Sequence, residues 1–311
     1  MTKRLIVVRP HGFCSGVARA VETAEAVLAR FRGETVYCLN EIVHNQQVVS
    51  RLTALGMVFV QRLDAVPAGA LLLFSAHGVA PSVWLEARAR GLRVIDATCP
   101  FVTKVHAEVR RFASQGAFVI CIGHRRHEEV VGVAGEVPEQ VRIVENTQEA
   151  EALVLPEGVP VAVVTQTTLG EAQVESVMTV LQRRFPALLL PASTDICYAT
   201  RNRQQAVGAL AKVCERVLVL GSANSSNSQR LVETARAAGA EAALVSEGDQ
   251  LDGLGWERVG TVGVTSGAST PESFLEGVVR VLQERYGFPE PEDMRAVKEE
   301  SHVFRLPVLP A

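Results

Sequence analysis

Residues 217–228 read VLVLGSANSSNS, a four-residue apolar run that stops at a loop of glycine, serine and asparagine. A short continuous run of valine and leucine is typical of a strand buried on both faces, as in a parallel sheet. The polar loop leads directly into a helical pattern near Arg230. The stretch therefore predicts a strand–loop–helix unit, with its polar loop at the carboxyl end of the strand.

The same pattern recurs along the 311 residues of the chain. Apolar runs that end at polar loops lie at 5–8, 71–74, 118–122, 161–164, 217–220 and 259–264. Helical patterns lie between them, among them 17–31, 174–185, 202–214 and 274–286. Length alone suggests about two domains. Because the six loops fall two by two into thirds of the chain, we instead expect an α/β fold of three similar modules with parallel sheets.

The predicted module boundaries follow these thirds. The first module, 1–98, contains Cys14, His44 and His77. The second, 99–194, contains His127, Glu129 and Thr167, and the third, 195–286, contains Cys197, Ser225, Asn227 and Ser269. The segment 287–311 has four prolines, so we expect an extended tail that packs back on the body of the protein.

Composition excludes several classes of protein. The chain is 48% hydrophobic and 21% charged, which is ordinary for a globular protein and excludes a disordered one. Thirty-one basic against 34 acidic residues give a net charge of −3, which disfavours a nucleic-acid partner. No apolar run approaches the ~18 residues that span a bilayer, and residues 1–12 lack the apolar core of a signal peptide. We therefore expect a cytoplasmic protein with no membrane partner.

Two serine-rich loops of the third module, 224–228 and 265–269, indicate an anion site. Hydroxyl groups, amides and free helix N–H groups bind phosphate well, although a serine-rich N-cap explains either loop alone. Four histidines also lie in strand-end loops: His44, His77, His124 and His127. Imidazole donates to phosphate oxygens, so these histidines favour ligand contacts. The glycine fingerprints of dinucleotide and nucleoside triphosphate sites are absent.

The six cysteines divide by context. Cys38 and Cys121 lie in apolar runs and Cys214 in a helical pattern, as expected of buried core residues. Turn-like segments instead surround the other three: Cys14, Cys99 and Cys197. Three thiolates from three modules fit an iron–sulfur cluster or a zinc site with one open position. A metal-dependent regulator, or a metal-independent enzyme of phosphorylated sugars, explains only part of this pattern.

Over nearly the whole chain, residues 4–310, the sequence resembles the 4-hydroxy-3-methylbut-2-enyl diphosphate reductases, iron–sulfur enzymes of the non-mevalonate isoprenoid pathway. The motifs that carry the resemblance are GFCSGV at 12–17, NEIVHN at 40–45, SAHGV at 75–79, DATCP at 96–100, TQTTL at 165–169, DICYAT at 195–200, GSANSSNS at 221–228 and GAS at 267–269. The resemblance implies reductive dehydroxylation of (E)-4-hydroxy-3-methylbut-2-enyl diphosphate to isopentenyl and dimethylallyl diphosphate. It also implies three modules around a central cluster and substrate cavity.

The resemblance also implies roles for particular residues. Cys14, Cys99 and Cys197 match the ligands of one [4Fe–4S] cluster per chain, whose open iron binds the substrate hydroxyl. Glu129 and Thr167 match the pair that delivers a proton near that hydroxyl. The remaining matches, together with Thr167, contact the substrate and its diphosphate: His44, His77, His127, Ser225, Ser226, Asn227 and Ser269. The implied electron donor is a ferredoxin or flavodoxin.

One loop departs from the family pattern. The family commonly has a proline between the histidine and the acidic residue, but this chain has Glu128 between His127 and Glu129. Glu128 is therefore a possible competitor to Glu129 for the role of proton donor.

Overall fold

The computed structural model describes residues 3–297 and 302–309. Within these residues, strands and helices alternate along the chain and the strands form three sheets. Every strand pair in the three sheets is parallel. The predicted fold class, three α/β modules with parallel sheets, is therefore confirmed.

The chain forms two compact units. Unit one comprises Met1–Val17, His44–Ser50 and Tyr198–Val303, and it contains the five-stranded sheet. Unit two comprises Ala18–Val43, Arg51–Cys197 and Phe304–Ala311, and it contains both four-stranded sheets.

The five-stranded sheet has the order β11-β10-β12-β1-β13. Its strands are β1 (Arg4–Arg9), β10 (Arg216–Leu220), β11 (Glu241–Val245), β12 (Thr261–Ser266) and β13 (Glu292–Arg295). The helices of this part of the chain are α8 (Tyr198–Ala211), α9 (Ser226–Ala237) and α10 (Glu272–Tyr286), with short 3-10 helices at Gly248–Leu254 and Trp256–Arg258.

The first four-stranded sheet has the order β3-β2-β4-β5. Its strands are β2 (Val36–Leu39), β3 (Met57–Val60), β4 (Leu71–Phe74) and β5 (Arg93–Asp96). The helices in this stretch of the chain are α1 (Ser15–Arg30), α2 (Gln46–Ala54) and α3 (Pro81–Ala89), with a 3-10 helix at Leu63–Ala65.

The second four-stranded sheet has the order β7-β6-β8-β9. Its strands are β6 (Phe118–Ile122), β7 (Val141–Val144), β8 (Val161–Thr165) and β9 (Leu188–Leu189). The accompanying helices are α4 (Pro100–Ser114), α5 (Glu128–Ala134), α6 (Thr147–Ala152) and α7 (Glu171–Arg184).

The apolar runs form strands because both of their faces are covered. In β10, Val217 and Val219 pack against α8 and α9, whereas Leu218 and Leu220 pack against α10. Strands β6 and β8 divide their side chains between two core clusters in the same way. Continuous rather than alternating hydrophobicity is what such doubly covered parallel strands require.

Two features differ from the sequence reading. The predicted helix 202–214 instead spans Tyr198–Ala211, because the chain turns at Val213 and Cys214 before it enters β10. Strand β1 pairs with β12 and β13, so the first strand of the chain completes the sheet of the last third. The module boundaries at residues 98 and 194 stay a prediction.

Among residues 3–297 and 302–309, no helix combines the length and the apolar character that crossing a bilayer requires.

The contact between β12 and α8 generates a stability prediction. A Cβ atom at Gly263 would lie 2.6 Å from Leu210 Cγ and 2.9 Å from Cys214 Sγ. We expect Gly263→Ala to lower the free energy of unfolding by about 1–3 kcal/mol through overpacking, measured by urea denaturation. The loss should shrink in a Leu210→Ala background, where the added methyl group has room. The control is Gly277→Ala, since a Cβ there meets no atom within 4 Å. An unchanged stability for Gly263→Ala would contradict this packing.

Candidate active site

Three cysteines have the same position relative to a helix. Cys14, Cys99 and Cys197 each immediately precede a helix, namely α1, α4 and α8. All three are outside any disulfide and are of intermediate exposure. A helix N-terminus has exposed backbone N–H groups and favours nearby negative charge, and the thiolate is the form of cysteine that binds metals. The predicted ligands thus have the electrostatic setting of metal-binding cysteines.

The other three cysteines are core residues, as predicted. Cys38 lies in β2, Cys121 in β6, and Cys214 between α8 and β10, and all three are buried. Burial raises the pKa of Cys214 to about 12 and raises the pKa of the Cys38 and Cys121 thiols still further above the ordinary range. These thiols therefore stay protonated and take the place of small apolar side chains.

Glu129 and Thr167 form a buried pair in unit two. Glu129, in the first turn of α5, is only 2% exposed, and Thr167 follows the end of β8. The Thr167 backbone N–H donates to Glu129 Oε1 at 2.6 Å, and the Thr167 hydroxyl donates to Oε2 at 3.0 Å. Burial raises the pKa of Glu129 to about 7, against the opposing effect of these hydrogen bonds. The carboxyl group can therefore hold a proton near neutral pH.

Glu128 faces a different partner. Its Oε2 lies 3.0 Å from His77 Nδ1, and both side chains are only partly exposed. A carboxylate beside Nδ1 stabilises the protonated imidazole and fixes the orientation of its ring. The residue that departs from the family pattern is thus built into a histidine contact, whereas Glu129 contacts Thr167.

His127 completes this group of side chains in unit two. It is the N-cap of α5, and its Nδ1 accepts a hydrogen bond from the Glu129 backbone N–H at 3.2 Å. A neutral His127 must then carry its proton on Nε2, which leaves Nε2 as a donor. The His77 and His127 rings lie edge to face with centroids 5.6 Å apart. Unit two therefore brings together two predicted diphosphate ligands and the predicted acid.

The predicted anion-binding residues of unit one lie around the start of α9. Ser225 is its N-cap, and the Ser225 hydroxyl oxygen accepts from the Ser228 backbone N–H at 3.3 Å. Ser226 is the first residue of the helix. Asn227 is 5% exposed, and within the described part of the chain neither atom of its side-chain amide has a hydrogen-bond partner. A buried amide without partners costs about 1–3 kcal/mol, and a bound polar ligand removes this cost.

Two glycines allow the loops of unit one to approach α9. A Cβ atom at Gly221 or at Gly267 would lie 2.2 Å from Ser228 Oγ. Ser269, two residues after Gly267, donates its hydroxyl proton to the His44 backbone oxygen at 3.0 Å. His44, Ser269 and the start of α9 are thus held by short contacts within one unit. Cys14 is placed by the same loop, because its backbone N–H donates to Ala268 O at 3.1 Å.

Several polar residues near these side chains were missed by the sequence analysis. Asp195 is 4% exposed, pairs with Lys104 Nζ at 2.9 Å, and accepts from the Thr165 backbone N–H. Burial raises the pKa of Asp195, although the Lys104 ammonium opposes this. His106 and Glu136 form a second buried pair, with Nδ1 and Oε1 2.6 Å apart. A histidine on the apolar stripe of the α4 pattern was the available signal for this second pair.

Comparison with known proteins assigns the chain to a family. The model of a family described as "LytB protein" matches residues 5–283. The chain belongs to the LytB family. A curated LytB relative from Acidothermus cellulolyticus is 49% identical over 306 residues, which are 98% of this chain and 89% of that protein. It is named 4-hydroxy-3-methylbut-2-enyl diphosphate reductase. A Mycobacterium tuberculosis relative, named 4-hydroxy-3-methylbut-2-enyl diphosphate reductase 2, is 49% identical over 98% of this chain and 90% of its own length.

Solved structures agree with this LytB membership. The structure of E-1-hydroxy-2-methyl-but-2-enyl-4-diphosphate reductase from Plasmodium falciparum matches with a TM-score of 0.95 and 35% identity, over 99% of this chain and 96% of that one. A second, titled (E)-4-hydroxy-3-methyl-but-2-enyl diphosphate reductase, the terminal enzyme of the non-mevalonate pathway, matches with a TM-score of 0.65 and 32% identity. It covers 91% of this chain and 100% of that one. Both confirm the predicted family and fold.

The raised pKa of Glu129 predicts a pH-dependent contribution to stability. The unfolded carboxyl group ionises near pH 4.5 and the folded one near pH 7. Its contribution is therefore fully present below pH 4.5 and is lost as the pH rises through 7. We expect the free energy of unfolding of the wild type, relative to Glu129→Gln, to fall by about 3 kcal/mol across this window. Urea denaturation at a series of pH values measures it, with Glu128→Gln as the control. A flat difference between pH 4.5 and 7 would be evidence against a protonated Glu129.

Proposed function

We propose that this LytB-family chain reduces (E)-4-hydroxy-3-methylbut-2-enyl diphosphate to isopentenyl and dimethylallyl diphosphate. The observation that carries the proposal is the buried Glu129–Thr167 pair, a carboxylic acid that keeps its proton near pH 7. Removal of an allylic hydroxyl group as water needs such an acid, because hydroxide is a poor leaving group. Overall, two electrons and two protons enter and one water leaves: one proton goes to the departing hydroxyl and the other to carbon.

Three cysteines are the proposed ligands of one [4Fe–4S] cluster per chain: Cys14, Cys99 and Cys197. Their position before helix starts and their partly exposed thiols fit metal ligands, whereas the other three cysteines are buried with raised pKa values. When bound, such a cluster supplies electrons and a Lewis-acidic iron. With these three cysteines as its protein ligands, such a cluster would keep one iron available to the substrate hydroxyl. The proposed electron donor is a ferredoxin or flavodoxin.

Within this proposal, Thr167 holds the acid in place. Its backbone N–H and its hydroxyl bind the two oxygens of Glu129 separately, which fixes the plane of the carboxyl group. The proton to be donated must then sit on one of these oxygens. The Thr167 hydroxyl can also contact the substrate hydroxyl and pass the proton on, which accounts for its proposed double role in catalysis and in substrate binding.

The diphosphate is the proposed anchor of the substrate. Its donors are imidazole, hydroxyl and amide groups: His44, His77, His127, Ser225, Ser226, Asn227 and Ser269. Support comes from the Nε2 proton of His127, the carboxylate beside His77 and the unpartnered amide of Asn227. The charge of the diphosphate suits these donors, and its binding positions a short carbon chain that offers few contacts of its own.

A cytoplasmic location is part of the proposal. None of the six cysteines, all within the described residues, forms a disulfide, as is usual in a reducing compartment, and an iron–sulfur cluster requires its ligands to remain reduced.

The first test is turnover. Protein purified without oxygen should convert the allylic diphosphate into both five-carbon diphosphates when a chemical reductant such as dithionite is supplied, as followed by mass spectrometry. An intact cluster without any turnover would favour a metal-dependent regulator. Turnover of a phosphorylated sugar by metal-free protein would favour a metal-independent enzyme of phosphorylated sugars.

Metal analysis tests the ligands. The anaerobic protein should contain about four iron and four sulfide per chain. Ser in place of Cys14, Cys99 or Cys197 should abolish the cluster and its visible absorbance. The matched controls are Cys38→Ala, Cys121→Ala and Cys214→Ala, which should keep iron because these thiols are buried in the core. Zinc without sulfide would overturn the assignment.

Substitution of each of the two adjacent acids, Glu129 and Glu128, tests which one is the proton donor. Glu129→Gln should lower kcat by about 10²–10⁴-fold, because the loss of a general acid removes about that much rate enhancement. Its affinity for the diphosphate, measured by calorimetry, should change little. Glu128→Gln keeps a polar side chain beside His77 and should mainly weaken diphosphate binding. If Glu128→Gln instead abolished turnover while Glu129→Gln remained active, the roles of the two acids would be reversed.

A further inference from the structure

A second buried carboxylate–histidine pair lies in unit two, at a position with no role in the proposed chemistry. His106 is on α4 and is 6% exposed. Its Nδ1 lies 2.6 Å from Glu136 Oε1, and Arg110 Nη1 donates to the same oxygen at 2.8 Å. Although burial raises the pKa of Glu136, the hydrogen bonds from His106 and Arg110 lower it by more, so its net pKa is reduced. The ionised carboxylate therefore accepts a hydrogen bond from Nδ1–H and orients the ring.

The far edge of the His106 ring touches two segments that carry proposed site residues. A Cβ atom at Gly78 would lie 3.1 Å from His106 Nε2, and Gly78 directly follows His77. A Cβ atom at Gly132 would lie 3.4 Å from His106 Cε1 and 3.4 Å from Val79 Cα. Gly132 is on α5, one helical turn after Glu129. The ring therefore packs where the His77 loop meets the helix of Glu129.

A buried imidazole is less favourable at this core position than an apolar side chain would be. Its neighbours on the buried stripe of α4 are apolar: Val102, Val105, Val109 and Phe112. Within the described residues, His106 Nε2 is buried without a hydrogen-bond partner. An apolar side chain of similar size would avoid both the unpaired nitrogen and the buried carboxylate of Glu136. The pair therefore provides something that packing alone does not.

We propose that His106 is a positioning residue for the proposed reductase reaction, a role that rests on the proposed function. Its ring, oriented by Glu136 and Arg110, sets the spacing between the loop of His77 and the helix of Glu129. The loop carries a proposed diphosphate ligand and the helix carries the proposed acid. One imidazole thus fixes the distance from the anchored end of the substrate to the proton donor, which is the distance that orientation of a bound substrate depends on.

Electrostatics offers a second effect of the same residue. Glu136 and Arg110 lie at the Nδ1 edge of His106, Asp96 and Arg88 line the same cavity, and Glu129 interacts electrostatically with the ring. Burial raises the pKa of Glu129, and positive charge on His106, when its ring is protonated, opposes that effect. Loss of this charge should raise the pKa of Glu129. If His106 only filled space, its truncation would admit water to Glu129 and lower that pKa instead.

Two variants separate the parts of this arrangement. His106→Asn keeps an amide N–H near the position of Nδ1 for Glu136 but removes the ring edge that touches Gly78 and Gly132. Glu136→Gln keeps the ring and removes the charge that orients it. Arg111→Gln is the matched control on α4, since Arg111 pairs with Glu108 at the surface. Steady-state kinetics of the anaerobic holoenzyme gives kcat and KM, and isotope-edited infrared difference spectra against the matching Glu129→Gln variants give the pKa of Glu129.

The expected result for His106→Asn is a loss of kcat/KM of about 10–100-fold, the size that a misplaced substrate produces, with kcat lowered and KM raised. The pKa of Glu129 should rise. Glu136→Gln should show the same changes to a smaller degree, and Arg111→Gln should show none. Wild-type kcat/KM in His106→Asn, or a lowered Glu129 pKa in both variants, would overturn the proposal.

Two outcomes keep this test apart from the test of function. If His106→Asn does not fold, Glu136→Gln decides the matter, because it leaves the ring in place: unchanged kinetics and an unchanged Glu129 pKa would then reject the positioning role. If the wild type does not turn over the allylic diphosphate, the proposed function fails. The infrared measurement still reports whether His106 controls the pKa of Glu129.

Discussion

Parallel pairing of the strands is the constraint on which the rest of the structure depends. Parallel strands all begin at the same edge of their sheet. The chain therefore leaves each strand through a polar loop at its carboxyl end and returns through a helix. The motif loops 75–79, 96–100, 165–169 and 221–228 begin where strands end. Buried strands hold these loops at their bases, and the following helices direct free N–H groups toward them. Polar chemistry is thereby concentrated on a rigid apolar scaffold.

Within this scaffold, two adjacent acids acquire different properties from their surroundings. Glu129 is enclosed, bound by Thr167, and keeps its proton to about pH 7. Glu128, one residue earlier, lies beside His77 and is partly exposed. The N-cap contact of His127 fixes where α5 begins and hence which acid points inward. A helix start thus decides which carboxyl group is buried beside Thr167 and which one lies beside His77.

The sequence indicated the sheets through continuous apolar runs, and the runs at 71–74 and 118–122 coincide with β4 and β6. Strand β7, VRIV, escaped notice because an arginine interrupts its apolar run. Strand β3, MVFV, is wholly apolar but only four residues long, and it was missed. The pairing of β1 with β12 joins residues more than 250 positions apart, and no local pattern encodes that choice. The contacts of Glu128 with His77 and of His106 with Glu136 were equally hidden, because each joins side chains about 30 to 50 positions apart along the chain. Local spacing identified the residue types, while tertiary folding selected their partners.

The unpaired amide of Asn227 has a consequence for selectivity. Its oxygen and nitrogen are buried and have no hydrogen-bond partner among residues 3–297 and 302–309. A ligand that supplies both a donor and an acceptor recovers this penalty, whereas a purely apolar molecule leaves it in place. Some sites have buried polar groups that the wrong ligand leaves unpaired. Such sites discriminate by as much as about 10⁴–10⁵-fold against analogues that lack the matching group. Under the proposed function, the oxygens of a diphosphate would accept from the amide nitrogen of Asn227, which the free allylic alcohol, lacking the diphosphate, would leave unpaired.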